Sequence, residues 1–346
     1  MTKPLELMGA PGSPYTRKML AALRYRHIPY QVEWQSLRSI KDPEQGGERP
    51  AAKVGLLPTF YLPDENGEIV AVTDSSPLIR RFEKQFDGRH IVPSDPVLQF
   101  LNTLIEDYAD EWLTKAMFHY RWHYAADIKK AGSILPRWSA LSASDEVIAP
   151  LSKMISERQI SRLSYVGSNE TTKPVIEKSF LRFLEIFNAH LTETPYLFGA
   201  RPSSADFAIY GQLTCLALFD PTPQAIITEN FPRIYAWTET MEDLSGLPVS
   251  DDDWLDASAL PDTLKALMDE IGRIYLPYLK ANAEAVMSGA EQMETMVDGQ
   301  PWTQNPFTYQ AKCLGWLIED TAALDDATRQ TLSDWLGNSG VLEQLS

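Results

Sequence analysis

Three short runs carry residues whose types and spacing could do chemistry. The first, Gly9-Ala10-Pro11-Gly12-Ser13-Pro14-Tyr15-Thr16-Arg17-Lys18, sets a hydroxyl where a strand turns into a helix. Ser13 followed by Pro14 fits an N-cap with proline at the first helical position, where its missing N–H costs nothing. The free N–H groups of that first turn, together with the helix dipole, favour an anion beside Ser13. The second run, Leu57-Pro58, puts a proline at a strand entrance, and the third, Asp74-Ser75, opens another helix with an acid and a hydroxyl. Ser13, Asp74 and Ser75 each read equally well as plain helix caps. Taken together and in order, the three runs say more than any one of them.

The elements that must position these residues follow from periodicity. Leu5, Leu7 and Met8 suggest a short strand, Arg17 to Tyr25 an amphipathic helix, and Tyr30 to Trp34 a second strand. A polar stretch from Ser36 to Lys53 reads as loop or weak helix. Leu56 to Leu62 gives a third strand, Asp64-Glu65-Asn66-Gly67 a hairpin turn, Glu68 to Val72 the return strand, and Leu78, Ile79 and Phe82 a helix face. The order β-α-β then β-β-α is complete by about residue 86.

This segment resembles the thioredoxin-like domain of the glutathione S-transferase superfamily, on the strength of Ser13-Pro14-Tyr15, Leu57-Pro58 and Asp74-Ser75. The resemblance implies a cis proline at Pro58, with Leu57 pairing its backbone to the cysteinyl part of glutathione like an added strand. It implies that Asp74 and Ser75 hold the γ-glutamyl end, and that Ser13 activates the thiol. Members that use a tyrosine carry it in the first strand, which here is Leu5-Glu6-Leu7-Met8, so Tyr15 is only the first backup. Ser13 also stands where glutaredoxin-like branches carry a cysteine, which disfavours disulfide reduction. Two departures matter. Asp74 replaces the commoner glutamate, and Leu56 sits where a lysine or glutamine frequently contacts the glycine carboxylate, leaving Lys53 or Arg49 for that contact.

Phe86 to Pro96 reads as a linker, and helical spacing begins at Val97 with Leu98, Leu101, Leu104, Ile105, Tyr108 and Trp112. Further helices are expected near 145–165, 173–192, 204–218 and 232–245. Ser203 and Asp206 form a reciprocal cap like the family's folding box, and so belong to folding rather than chemistry. In Phe118-His119-Tyr120-Arg121-Trp122-His123-Tyr124, Tyr120 and Tyr124 share one face, and the resemblance places that region in the second-substrate pocket with Tyr15. His119, His123 and Asp127 share another face and could ligate zinc, but they lack the metalloprotease glutamate and nothing in the resemblance needs a metal. No metal is expected.

The expected organisation is a glutathione-binding domain over 1–86, an all-helical transferase-type domain over 97–248 and an acidic helical extension over 260–346. Residues 251–346 hold 17 acidic and 5 basic side chains, a net of −12 out of −16 for the 346-residue chain. Such a balance excludes a nucleic-acid partner, which needs a basic face. No apolar run approaches a membrane span. Two distant cysteines, Cys215 and Cys313, and an unremarkable Met1-Thr2-Lys3-Pro4 start point to the reducing cytosol. The extension lies outside the resemblance, and a lid over the aromatic pocket is one role for it. In it, Leu264 to Tyr278 reads as a helix that Pro277 kinks or breaks, and Asp298 to Pro301 as a loop. The leading function is a glutathione transferase, homodimeric and detoxifying, that attacks a hydrophobic electrophile. The alternatives are a non-catalytic interaction module and a glutathione-dependent lyase, isomerase or peroxidase.

Overall fold

A computed structural model describes residues 3–35 and 49–346 of the chain. Of the Ser36–Lys53 stretch read as loop or weak helix, residues 36–48 lie outside this range. Strand β1 (Leu5–Gly9) runs into helix α1 (Pro14–Tyr25), and β2 (Tyr30–Trp34) pairs parallel with β1. Strand β3 (Thr59–Pro63) lies antiparallel to β1 and turns back into β4 (Ile69–Val72), giving the sheet order β2-β1-β3-β4. The hairpin turn is held by Asp64, whose Oδ1 accepts from the Asn66 and Glu68 amides, with Gly67 at φ 83°. Helix α2 (Ser75–Gln85) follows and buries Leu78, Ile79 and Phe82, the face anticipated from spacing. This is the mixed α+β arrangement of a thioredoxin-like unit.

The chain then becomes helical. Helix α3 (Pro96–Tyr108) is capped by Asp95, continues through a π turn (Ala109–Leu113) and becomes α4 (Thr114–His123). Helices α5 (Ala125–Ser139), α6 (Asp145–Ile160), α7 (Lys173–His190), α8 (Ser204–Leu216), α9 (Pro221–Asn230) and α10 (Pro232–Thr240) complete the unit. Of these, α5 and α9 have no counterpart among the expected helices. Every residue of α8 is buried, and the cap at its start is reciprocal: Ser203 Oγ accepts from the Asp206 amide while Asp206 Oδ2 accepts from the Ser203 amide at 2.8 Å. Gly211 lets α8 meet α1 closely, since a Cβ there would lie 2.6 Å from the Pro14 carbonyl. The first turn of α1, which carries the Ser13 cap, therefore rests directly on the helical unit.

Beyond Ser250 the chain first pairs its backbone with the 198–200 loop, where Ala200 N–H donates to Asp253 and Leu255 N–H to Phe198. Helix α11 (Asp262–Glu270), a π turn (Ile271–Tyr275) and α12 (Leu276–Ser288) then run on continuously. Pro277 was expected to kink or break this helix. The helix is not broken there: Pro277 follows the π turn, where the Leu276 N–H reaches back to the Ile271 carbonyl, and this widened turn accommodates a residue that cannot donate. The extension is otherwise helical, with α13 (Thr308–Ala322), α14 (Asp326–Leu336) and the short α15 (Val341–Gln344), but it also holds a hairpin of β5 (Met293–Val297) and β6 (Gln300–Gln304). The expected loop at Asp298-Gly299 is its two-residue turn, with both residues at positive φ (54° and 70°), the geometry that matches strand twist. Among the described residues no helix is long and apolar enough to cross a membrane.

Candidate functional site

The three runs of the sequence lie at one end of the strands, where the end of β1, the start of β3 and the end of β4 come together. Ser13 is the cap of α1: its Oγ accepts from the Thr16 amide at 3.2 Å and donates to the Leu57 carbonyl at 3.2 Å. The Leu57–Pro58 peptide is cis, and Pro58 is buried while Leu57 remains partly open. Hydroxyl and strand entrance are thus in direct contact, although 44 residues separate them.

Asp74 and Ser75 stand at the start of α2, the next element in the sheet order. Asp74 occupies the cap position yet makes no side-chain cap, and its φ of 85° lies where L-residues are rarely found. Its carboxylate instead accepts from the Tyr309 hydroxyl at 2.6 Å. Behind the α2 N-terminus lies Lys18, fully buried, whose Nζ donates to Ser75 Oγ (3.1 Å), Ser76 Oγ (3.3 Å), Glu106 Oε1 (2.8 Å) and Asp110 Oδ2 (2.6 Å). Burial opposes ionisation of both acids, but the ammonium holds Glu106 below the usual carboxylate range, while burial and the neighbouring Glu106 charge keep Asp110 above it. The two carboxylates already match the Lys18 ammonium, so what the Ser75 end offers an anion is the free N–H groups of the α2 N-terminus.

On the other side of Ser13, Arg121 on α4 donates to the Gly12 carbonyl at 3.2 Å and is itself clamped by Asp220. Trp138 on α5 crosses the same turn, for a Cβ on Gly12 would lie 2.5 Å from its ring. Trp138 packs on Phe219 with ring centres 5.2 Å apart. An aromatic pair therefore stands against the Gly12 turn that leads into Ser13.

Family comparison decides what this arrangement belongs to. The family model for the glutathione S-transferase N-terminal domain matches residues 7–90, and that for the C-terminal domain matches 151–244. The chain belongs to the glutathione S-transferase superfamily. No curated protein matches the chain. Among solved structures, this superfamily member is similar to a GST-like protein from Pseudomonas syringae, at 15% identity over 69% of this chain and 67% of that one, with a TM-score of 0.43. It is similar to a glutathione transferase family member from Pseudomonas fluorescens with two glutathione bound, at 13% identity over 68% and 87%, TM-score 0.41. A third, glutathione transferase GSTFuA2 from Phanerochaete chrysosporium, is 14% identical over 70% and 99%, TM-score 0.44.

Of the residues singled out in the sequence, the structure gathers Ser13, Leu57, Pro58, Asp74 and Ser75 at this end of the strands. Lys53 lies exposed just before the strand entrance. Arg49, the other candidate for the glycine end, is engaged elsewhere, 3.1 Å from Glu6 and 3.5 Å from Glu33 and stacked over Tyr61. The three pocket tyrosines go elsewhere. Tyr15 donates to the Asp110 carbonyl at 2.7 Å, and burial with nearby Glu111 and Asp110 pushes its phenol well above its ordinary value. Tyr120 and Tyr124 stack on each other and face α7, Tyr120 against Phe180 and the Tyr124 hydroxyl on Glu177. The same helix periodicity that sends those two to α7 turns Arg121 towards Gly12.

His119, His123 and Asp127 are each occupied: His119 by Ser168 and Glu177, His123 by the Lys173 ammonium, Asp127 by Thr222. Among the described residues no group of three or more His, Cys, Asp or Glu could hold a metal ion. Sequence reasoning missed Trp138, Arg121, Lys18 and Tyr309. Lys18 carried a usable signal, a cation on the α1 face it shares with buried Ala21, Ala22 and Tyr25 at helical spacing. The others are defined only by what they touch.

Proposed function

We propose that the chain is a glutathione transferase in which Ser13 activates the thiol for attack on a hydrophobic electrophile. The observation that carries this reading is the 3.2 Å contact between Ser13 Oγ and the Leu57 carbonyl. If the tripeptide pairs with Leu57 as an added strand, its cysteinyl N–H takes that carbonyl and its sulfur comes to lie over the α1 N-terminus. The hydroxyl proton, released from Leu57, is then donated to the sulfur. A hydrogen bond from a hydroxyl to a charged partner contributes about 1.5–3 kcal/mol and a helix N-terminus roughly 0.3–1 more. At about 1.36 kcal/mol per unit, the thiol pKa falls by around one to three units, enough to populate the nucleophilic thiolate near neutrality.

In this reading Ser75, at the α2 N-terminus and bonded by Lys18, receives the γ-glutamyl carboxylate, Asp74 the ammonium, and exposed Lys53 the glycine carboxylate. Trp138 and Phe219 replace Tyr15, Tyr120 and Tyr124 as the wall that meets the electrophile. A homodimer remains part of the reading on the family resemblance alone, and a cytosolic setting on the two distant cysteines. Titration calorimetry with glutathione and spectroscopic titration of the bound thiol test it. Ser13→Ala is expected to keep glutathione affinity within a fewfold while raising the bound thiol pKa by one unit or more. Wild-type turnover with an aryl halide and an unshifted thiol in that variant would remove Ser13 from the mechanism. Binding without conjugation by the wild type would instead favour the non-catalytic module.

A further inference from the structure

Asp74 is unusual in three respects that the glutathione reading alone does not explain. It sits at a helix cap position without capping, its backbone is held at φ 85°, and its carboxylate is bonded to a residue 235 positions away. A non-glycine residue at such a φ is strained, and persists only where surrounding contacts over-determine it. The partner of its carboxylate, the Tyr309 hydroxyl at 2.6 Å, comes from the first turn of α13 in the extension.

That phenol is anchored on both sides. The Phe307 backbone is gripped at both its polar atoms by the Asn282 side chain, at 2.8 and 2.9 Å. Gln310 Nε2 donates to Glu111 Oε2 at 2.8 Å and its Oε1 accepts from Tyr278. The Tyr309 ring packs between Phe307 and Trp316, with centres 6.3 and 6.1 Å away. Burial, Cys313 and Asp74 push its hydroxyl far above its ordinary pKa, so it is a neutral donor throughout the working range. A carboxylate with one oxygen bonded to such a donor still has lone pairs for a second partner.

We infer that Tyr309 is the positioning residue of the amino-end anchor: it pins the Asp74 carboxylate in the orientation that receives the ammonium of an α-amino-acid head group, so that the extension is part of the ligand site. This rests on the proposed reading that Asp74 binds the γ-glutamyl ammonium of glutathione. It also assigns the extension a role other than a lid over the aromatic wall, since α13 meets the amino end of the site, on the far side from Ser13 and Trp138.

The experiment compares two ligands by calorimetry: glutathione and its desamino analogue, glutaryl-cysteinyl-glycine, which lacks only the ammonium. The proteins are wild type, Tyr309→Phe and Asp74→Asn, with thermal unfolding recorded for each. Tyr309→Phe keeps the ring and its packing. It is expected to weaken glutathione about tenfold, to leave the analogue unchanged and to leave the melting temperature within a few degrees. Equal weakening of both ligands would mark Tyr309 as merely structural and overturn the inference. Unchanged or tighter glutathione binding would do the same, the latter by showing that Tyr309 competes with the ligand. If Asp74→Asn discriminates between the ligands and Tyr309→Phe does not, this inference alone falls. If neither variant discriminates, or the wild type binds no glutathione, the proposed site falls with it.

Discussion

Four acids on one short segment meet two opposite fates. Glu106 and Asp110 face the N-terminal unit, whereas Asp107 and Glu111 face the extension, the i, i+4 spacing of a helix sorting them into two pairs. The first pair shares the Lys18 ammonium and keeps a charge. The second has no cation bonded to it: Asp107 accepts from the Tyr275 hydroxyl at 2.5 Å and Glu111 from the Gln310 amide at 2.8 Å. Burial pushes Asp107 up to about 7, and burial with the Asp107 charge pushes Glu111 up to about 8. The side facing the extension has its own buried lysine, Lys115 on α4, but this one lies among Tyr278, Trp302 and Trp112 and donates to the Tyr278 hydroxyl at 2.9 Å. Burial, only partly offset by Glu111, lowers it to about 7. The contrast teaches that a buried charge survives where its counter-charge is buried with it, and otherwise gives up or takes up a proton.

The largest test of this contrast is Lys18→Met. It strands Glu106 and Asp110 without their cation and should cost about 3–5 kcal/mol by denaturant unfolding. It should also abolish glutathione binding by loosening Ser75. A loss below about 1 kcal/mol would show that the pair is neutralised some other way.

Next in size is a pH effect that is largest on the extension side, where the carboxyls are pushed furthest up. The unfolded chain releases the Asp107 and Glu111 protons near pH 4, while the folded chain holds them to about 7 and 8. The folded state therefore binds more protons between those limits, and stability declines as pH rises through that window. Glu111→Gln should flatten the upper part of this decline, read as the difference in denaturation midpoint between about pH 5.5 and 8.5. An unchanged slope would place the effect elsewhere.

The smallest effect is expected for Lys115→Met. The folded amine is already half neutral near pH 7, and an unbranched apolar chain fits among the rings, so stability there should change by about 1 kcal/mol or less. The sign of its pH dependence is opposite to that of Glu111. With a folded pKa below the unfolded one, the wild type gains stability as pH rises from about 7 towards the ordinary lysine value, and the variant loses that gain. A large loss in this variant would mean that Lys115, like Lys18, is held as a cation.

Much of the architecture was legible because its signals are local. Ser13-Pro14 capping α1, the Asp64–Gly67 hairpin and the Ser203/Asp206 reciprocal cap each act within four residues, and the chain has little choice once those types are set at that spacing. The Asp298-Gly299 turn was equally local and could have been read as a hairpin. Helices α5 and α9 were harder, since Pro136 lies inside the first and a Pro221–Pro223 pair opens the second. The aromatic wall was misplaced because periodicity tells which residues share a face, not which neighbour that face will meet.

What the sequence by itself determined is the order of the N-terminal elements, most of the helices after them and the three runs that lie at one end of the strands, because each depends on backbone preferences and on caps a few residues long. Only the tertiary structure decided which charges survive burial, which aromatic residues stand against the Gly12 turn, and that Tyr309 of the extension would reach Asp74. Those outcomes depend on pairing across tens to hundreds of residues. The energy of a buried charge or donor is set by the partner that arrives, not by its neighbours in the chain.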